Sequence, residues 1–131
     1  MLTAAQIMTT GVTTIRPDAT IQEAIDILLD QGISGLPVVD DRGHLVGVIT
    51  EFALLAIAYD SDIQRQTVAQ HMTKEVITVD AQDPVNRIAD LCIVHRVRRV
   101  PVMQNNRLVG LISRRDVLQS LCESERPICT A

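Results

Sequence analysis

Apolar positions along the chain follow two rhythms, and the same succession of rhythms occurs twice. A short run rich in Val, Thr and Ile, Val12 to Ile15, predicts a strand. Ile21, Ala24, Ile25, Leu28 and Leu29 then recur at the 3.6-residue period of a helix with one buried face. Thr20, with Glu23 three positions on, supplies a capping box for its start. Two nearly continuous apolar runs, Leu36 to Val39 and Leu45 to Ile49, predict strands covered on both faces, joined by the polar turn Asp40-Asp41-Arg42-Gly43. A closing helix starts at Thr50. In the second half Val85, Ile88, Ala89, Cys92 and Ile93 form the helical face, with Asp83 as cap and Pro84 at the first helical position. Strands at Val100 to Met103 and Leu108 to Ile112 flank Gln104-Asn105-Asn106, and a closing helix starts at Ser113.

A shift of 64 places lays Met8-Thr9 on Met72-Thr73, Thr14-Ile15 on Thr78-Val79 and Pro37-Val38 on Pro101-Val102. With Gly43 left unmatched, Leu45-Val46-Gly47-Val48-Ile49-Thr50 lies on Leu108-Val109-Gly110-Leu111-Ile112-Ser113. The expected fold is mixed α/β (α+β): two tandem β-α-β-β-α repeats, residues 1–63 and 64–123, followed by a C-terminal tail, 124–131. One such unit leaves an apolar sheet face uncovered. Packing the two copies through their sheets buries it, which predicts pseudo-two-fold symmetry with two equivalent clefts. Asp60-Ser61-Asp62 is the expected linker, and the tail, with Pro127 and few apolar groups, is expected to fray.

Composition narrows the chemistry. Nearly half the residues are apolar, yet the chain has no Trp, one Tyr and one Phe, so the core and any ligand cleft must be aliphatic. A net charge of −4 with both signs interspersed offers no basic face for duplex nucleic acid, and aromatic platforms for single strands are absent. Cys92, Cys122 and Cys129 form no Cys-x-x-Cys pair and suit reduced thiols in a cytoplasmic protein. No apolar run reaches the length of a membrane helix, and no export signal is expected. His44, His71 and His95 fall into no nucleophile or metal-ligand spacing, and no phosphate-binding Gly-x-x-x-x-Gly-Lys loop occurs. The expectation is therefore a protein without a catalytic or metal centre.

Two copies of Gly-Val/Leu-Ile-Thr/Ser, each preceded by an apolar-Pro-Val strand, resemble the CBS repeat, and a pair of them resembles the Bateman module of stand-alone prokaryotic proteins. The likeness runs from about Ala5 to Leu121. It implies regulatory ligand sites in two clefts between the repeats, usually for AMP, ADP or ATP, and in some members for S-adenosylmethionine, NAD-type molecules or cyclic dinucleotides. It also implies that Ser/Thr-x-x-Asp at the start of the last helix holds ribose and phosphate. A helix N-terminus with unpaired N–H groups suits a phosphate, and a carboxylate one turn in can accept from two ribose hydroxyls.

The second repeat carries the full motif, Ser113-Arg114-Arg115-Asp116, whereas the first reads Thr50-Glu51-Phe52-Ala53. Ser113 with Asp116 also makes a good helix cap without any ligand. Arg98 and Arg99, three and two places before Pro101, match positions that meet phosphates in nucleotide-sensing relatives; Ser34 and Gly35 stand there in the first repeat. Carried over from the resemblance, the main site comprises Thr9, Thr13, Ile33, Ser34, Arg98, Arg99, Ser113 and Asp116, and a weaker second cleft comprises Thr50, Thr73, Ile77 and Val97. The resemblance further implies a homodimer built through helices, with Leu54, Ile57, Val117 and Leu121 as contacts unless they pack internally, and a regulated partner protein of unknown identity. The alternative is a constitutive dimerisation or adaptor module with vestigial clefts, or a sensor of S-adenosylmethionine or a cyclic dinucleotide.

Overall fold

The computed structural model describes residues 1–60 and 62–125, with helical backbone alone at 124 and 125. It resolves into two compact units, one of residues 13–76 and the other of residues 1–12 together with the chain from 77 onward.

In the unit of residues 13–76, helix α2 (Ile21–Gln31) precedes strands β1 (Gly35–Val39) and β2 (Leu45–Thr50) and helix α3 (Glu51–Ile57). The strands pair antiparallel from Gly35↔Thr50 to Val39↔Leu45 with an irregularity between Val38 and Val39. The capping box predicted for α2 is present: Thr20 Oγ1 accepts from the Glu23 N–H at 3.2 Å, and Glu23 Oε2 accepts from the Thr20 N–H at 3.3 Å. Ile21, Leu28, Leu36, Val38, Ile49, Leu54 and Val68 form the core. Val68 arrives from the short helix α4 (Val68–His71), which follows a 3-10 turn at Ile63–Arg65.

The other unit repeats the plan with α5 (Val85–His95), β4 (Arg99–Gln104), β5 (Arg107–Ser113) and α6 (Arg114–Glu125), adding a two-residue strand β3 (Val79–Asp80) parallel to β4. Ala4 of the N-terminal helix α1 (Ala4–Ile7) sits in its core with Val85, Ile88, Val100, Val102, Ile112 and Val117. The stretch that opens each sequence repeat thus completes the unit built on the other repeat's strands. Residues 1–12 and about 64–76 are exchanged relative to the boundaries the repeat suggests.

Three expectations need correcting. The strand at Val12 to Ile15 contracts to one parallel bridge, Ile15↔Val38. In the second repeat the Ala81 N–H extends the ladder by donating to the Met103 carbonyl at 2.9 Å; the matching residue is Pro17, which has no N–H to give. Asp83 does not cap α5. Pro84 is the capping residue, its carbonyl accepting the first helical bond from Arg87 at 3.0 Å, while Asp83 Oδ2 instead accepts from the Asp80 N–H at 2.9 Å. Helix α6 runs to Glu125 and so takes in the first two residues of the expected tail, and 126–131, with Cys129, lie outside the described residues.

Candidate ligand-binding site

The residues singled out in the second repeat meet where β5 turns into α6. Arg99 pairs with Ser113 across the β4–β5 ladder, and the Arg114 N–H donates to the Arg98 carbonyl at 2.9 Å. This backbone bond fixes the start of α6 against the residue that precedes β4. Ser113 Oγ accepts from the Asp116 N–H at 3.1 Å, and Asp116 Oδ2 accepts from the Ser113 N–H at 2.9 Å, which is a reciprocal cap. Ser113 and Asp116 are half-buried, whereas the Arg98, Arg99, Arg114 and Arg115 side chains are exposed. An ionised carboxylate has about four acceptor positions, and the cap uses one.

Thr9 joins the same end of this unit. Its N–H donates to the Leu111 carbonyl at 2.8 Å and its carbonyl accepts from the Leu111 N–H at 3.0 Å, which places it two residues from Ser113 along the strand edge. Gly110 makes this approach possible: a Cβ there would lie 2.5 Å from Met8 Sδ. Met8-Thr9 and Gly110 are both visible as repeated features in the sequence, but their mutual contact is not.

The unit of residues 13–76 builds the same frame with different side chains. Thr73 and Val48 exchange both backbone hydrogen bonds, at 2.8 and 2.9 Å. A Cβ on Gly47 would meet Met72 Sδ at 2.7 Å and the Thr73 carbonyl at 2.8 Å. The Glu51 N–H donates to the Ser34 carbonyl at 2.9 Å, and Thr50 Oγ1 caps α3 by accepting from Ala53 at 3.2 Å. No carboxylate stands at Ala53, and no guanidinium at Ser34 or Gly35.

The residues grouped into one main site by resemblance divide between the units. Thr9, Arg98, Arg99, Ser113 and Asp116 share one; Thr13, Ile33 and Ser34 lie in the other beside Thr50 and Thr73. Thr13 Oγ1 donates to Gln31 Oε1 at 2.7 Å, and Ile33 is half-buried against its own unit's core. Of the second set, Val97 packs against the core that contains Ile112, and Ile77 opens that unit's main segment. Cys92 is a core residue whose thiol is pushed up by burial, an effect the nearby Arg114 charge partly counters. Among the described residues no three His, Cys, Asp or Glu side chains are grouped to hold a metal ion, and no helix is long and apolar enough to cross a membrane.

Comparison with known proteins agrees with this architecture. The CBS domain model matches residues 4–60 and 68–123. An inosine-5'-monophosphate dehydrogenase from Methanocaldococcus jannaschii is 36% identical over 117 residues, 88% of this chain but 23% of that enzyme. Hypoxic response protein 1 from Mycobacterium tuberculosis is 30% identical over 125 residues, 94% of this chain and 87% of that protein. The solved structure of CBSX2 in complex with AMP superposes with a TM-score of 0.86 at 26% identity, covering 96% of this chain and all (100%) of that one. The CBS domain pair of MJ0100, solved with 5'-methylthioadenosine and S-adenosyl-L-methionine, gives a TM-score of 0.80 at 27% identity, covering 95% and 99%. Two tandem matches along one chain, each over one sequence repeat, make this protein a member of the CBS domain family.

Proposed function

We propose that this CBS pair is a regulatory module that binds an adenine nucleotide (AMP, ADP or ATP), performs no catalysis itself, and passes ligand occupancy to a partner protein. The observation that carries this reading is the meeting of Ser113, Asp116, Arg98 and Arg99 at the start of α6, tied by the Arg114-to-Arg98 backbone bond of 2.9 Å. Asp116 accepts from the ribose hydroxyls with the acceptor positions its cap leaves over. The guanidiniums of Arg98 and Arg99 take the phosphate, whose oxygens match their planar donors. Thr9 lines the strand edge beside them.

CBSX2, a structural neighbour, was solved with AMP, and MJ0100 with two adenosine derivatives, which supports an adenosine-based ligand. The arginines favour a phosphorylated one: the methionyl group of S-adenosylmethionine carries positive charge, which two guanidiniums repel. The second site, with Thr50, Thr73, Ile77 and Val97, is the weaker one, because the Ala53 side chain offers no acceptor where Asp116 has a carboxylate. The module functions as a homodimer in the cytoplasm, a reducing compartment that suits the buried Cys92 thiol, which is in no disulfide.

Thermal unfolding with and without ligand tests the reading. Saturation at a hundred times Kd stabilises the fold by about 2.7 kcal/mol, so AMP, ADP or ATP raises Tm well beyond any shift given by S-adenosylmethionine. An unmoved Tm with all of them would leave the adaptor alternative standing.

A further inference from the structure

Each unit seats a methionine on a bare glycine of its second hairpin strand, and the two seats are filled differently. Of the atoms nearest to an added Cβ on Gly110, all three belong to the Met8 side chain: Sδ at 2.5 Å, Cγ at 2.8 Å and Cβ at 3.0 Å. Met8 therefore fills that seat by itself. On Gly47 the Thr73 carbonyl, at 2.8 Å, shares the place with Met72 Sδ and Cγ. Both methionines are half-buried, each packed against the core of its own unit.

The segments that carry them are also held differently. Residues 64–76 follow α3 within the unit they complete, whereas residues 1–12 rejoin theirs only at residue 77, after the whole of the other unit. Noncovalent contacts alone hold residues 1–12 in their unit. Ala4 is fully buried in the core. The Ala4 and Ala5 N–H groups donate to the Asp83 and Ala81 carbonyls at 2.8 and 2.9 Å, and the Val85 N–H donates to the Leu2 carbonyl at 3.0 Å. At the far end Thr9 and Leu111 exchange both backbone bonds. Met8 lies between these two attachments, and its seat, Gly110, adjoins Leu111.

A thioether packs as an apolar group, and oxidation makes it a polar sulfoxide. A hydroperoxide gives one oxygen atom to Sδ: the S–O bond forms and the O–O bond breaks. The sulfur loses two electrons, and the peroxide leaves as water or an alcohol. The new oxygen needs a donor, since burying a polar group without one is unfavourable. The Leu111 N–H beside the seat is already given to the Thr9 carbonyl at 3.0 Å. An oxidised Met8 side chain therefore turns out to water and leaves its seat bare.

We propose that Met8 is an oxidation-sensitive latch, whose sulfoxide vacates Gly110 and releases residues 1–12 from the unit they complete. Met72 shares its seat with a backbone carbonyl on a segment continuous with its unit, so its oxidation does not release that segment. Release of residues 1–12 uncovers the core around Ala4 and withdraws Thr9 from beside Ser113. Only this last consequence bears on the nucleotide reading; the latch itself needs no ligand.

Amide hydrogen exchange of the full chain without nucleotide, before and after hydrogen peroxide, tests the latch, with peptide mapping of each methionine. Oxidation of Met8 speeds exchange at the Thr9 and Leu111 amides roughly tenfold or more and leaves Val48 and Thr73 nearly unchanged. Met8→Leu fills the seat without a sulfur and keeps slow exchange under peroxide, while Met8→Gln exchanges fast with no peroxide. A Met8 that stays reduced while the exposed Met1 is oxidised overturns the latch. So does slow exchange in the Met8-oxidised wild type, or fast exchange in Met8→Leu brought on by peroxide. If Met8→Leu exchanges fast from the outset, repair of the oxidised wild type by methionine sulfoxide reductase decides: restored slow exchange upholds the latch, and persistent fast exchange overturns it.

Discussion

The turn from α2 through β1 into α3 and the turn from α5 through β4 into α6 share one backbone and differ in nearly every functional side chain. Gly32 closes α2 at φ +63°, and Arg96 closes α5 in the same left-handed conformation at φ 53°. Ser34 and Gly35 become Arg98 and Arg99, Glu51 becomes Arg114, and Ala53 becomes Asp116. The parts that hold the frame together do not change: a threonine hydroxyl or serine hydroxyl caps the closing helix, and a glycine on the second strand makes room for methionine. A left-handed Arg is disfavoured by about 1–2 kcal/mol relative to the usual helical region, where Gly is at ease. The difference gathers guanidiniums and a carboxylate at the closing helix of one unit and leaves the same place in the other without them, as the proposed anionic ligand requires.

Four substitutions sharpen that contrast, beginning with the shared frame. Gly47→Ala drives a methyl group onto the Thr73 carbonyl as well as Met72, so it destabilises the fold by about 1–3 kcal/mol in urea unfolding. Gly110→Ala is milder, because the nearest atoms belong to the Met8 side chain, which can swing away. If the two had equal effect, the Met-Thr segments would not be seated as described. At the helix ends, Gly32→Ala lowers stability by about 1 kcal/mol, while Arg96→Gly raises it by up to about that amount. A stability loss in Arg96→Gly would show that the arginine is held by contacts outweighing its backbone strain.

The smallest effect concerns the hairpin turns. The backbone N–H of His44, foremost, and that of Arg42 donate to Asp40 Oδ1 at 2.9 Å and hold its carboxyl below the usual value, with desolvation acting in the opposite sense. A carboxyl lowered in the folded state stabilises it above the unfolded pKa of about 3.9, and that stabilisation is lost as pH falls through the folded value. Asp40→Asn therefore flattens the acid limb of the stability profile slightly. The turn at Gln104-Asn105-Asn106 has no such carboxylate, and Asn105→Asp gives no matching gain, because Asn105 and Asn106 make a tight two-residue turn through their own positive φ angles.

Periodicity exposed most of the fold. The two helical stripes, both hairpins and the caps at Thr20, Thr50 and Ser113 all follow from local pattern, because each is fixed by residues within one turn or one pairing. The shortened strand at Ile15 was written in Pro17 but needs the partner register to be read, since only the ladder shows which N–H is missing. The exchange of the opening segments is a long-range choice: Ala4 and Val68 look like equivalent helix residues, and nothing local says whose core each one fills. Arg99 and Ser113 are close because they lie on paired strand ends, which the repeated hairpin pattern already implies. Thr13, Ile33 and Ser34 lie in the unit of residues 13–76, and a repeat alignment gives their positions but not their neighbours. The outward face of α3 is hard to read from the sequence because Leu54 and Leu55 are adjacent apolar residues about 100° apart round the helix, one buried and one exposed.

The account stands or falls on one ligand-competent unit built around Asp116, and calorimetric titration with AMP addresses that directly. Asp116→Asn is the informative variant, because its amide oxygen can still accept from the Ser113 N–H and keep the cap while the charge is lost. Hydrogen bonds to a charged group contribute about 1.5–3 kcal/mol, so the account predicts one strong site per chain in the wild type and affinity reduced roughly ten- to a hundredfold in the variant, with Tm of the free protein little changed. Two strong sites of equal affinity, or an Asp116→Asn protein that binds AMP as the wild type does, would contradict it.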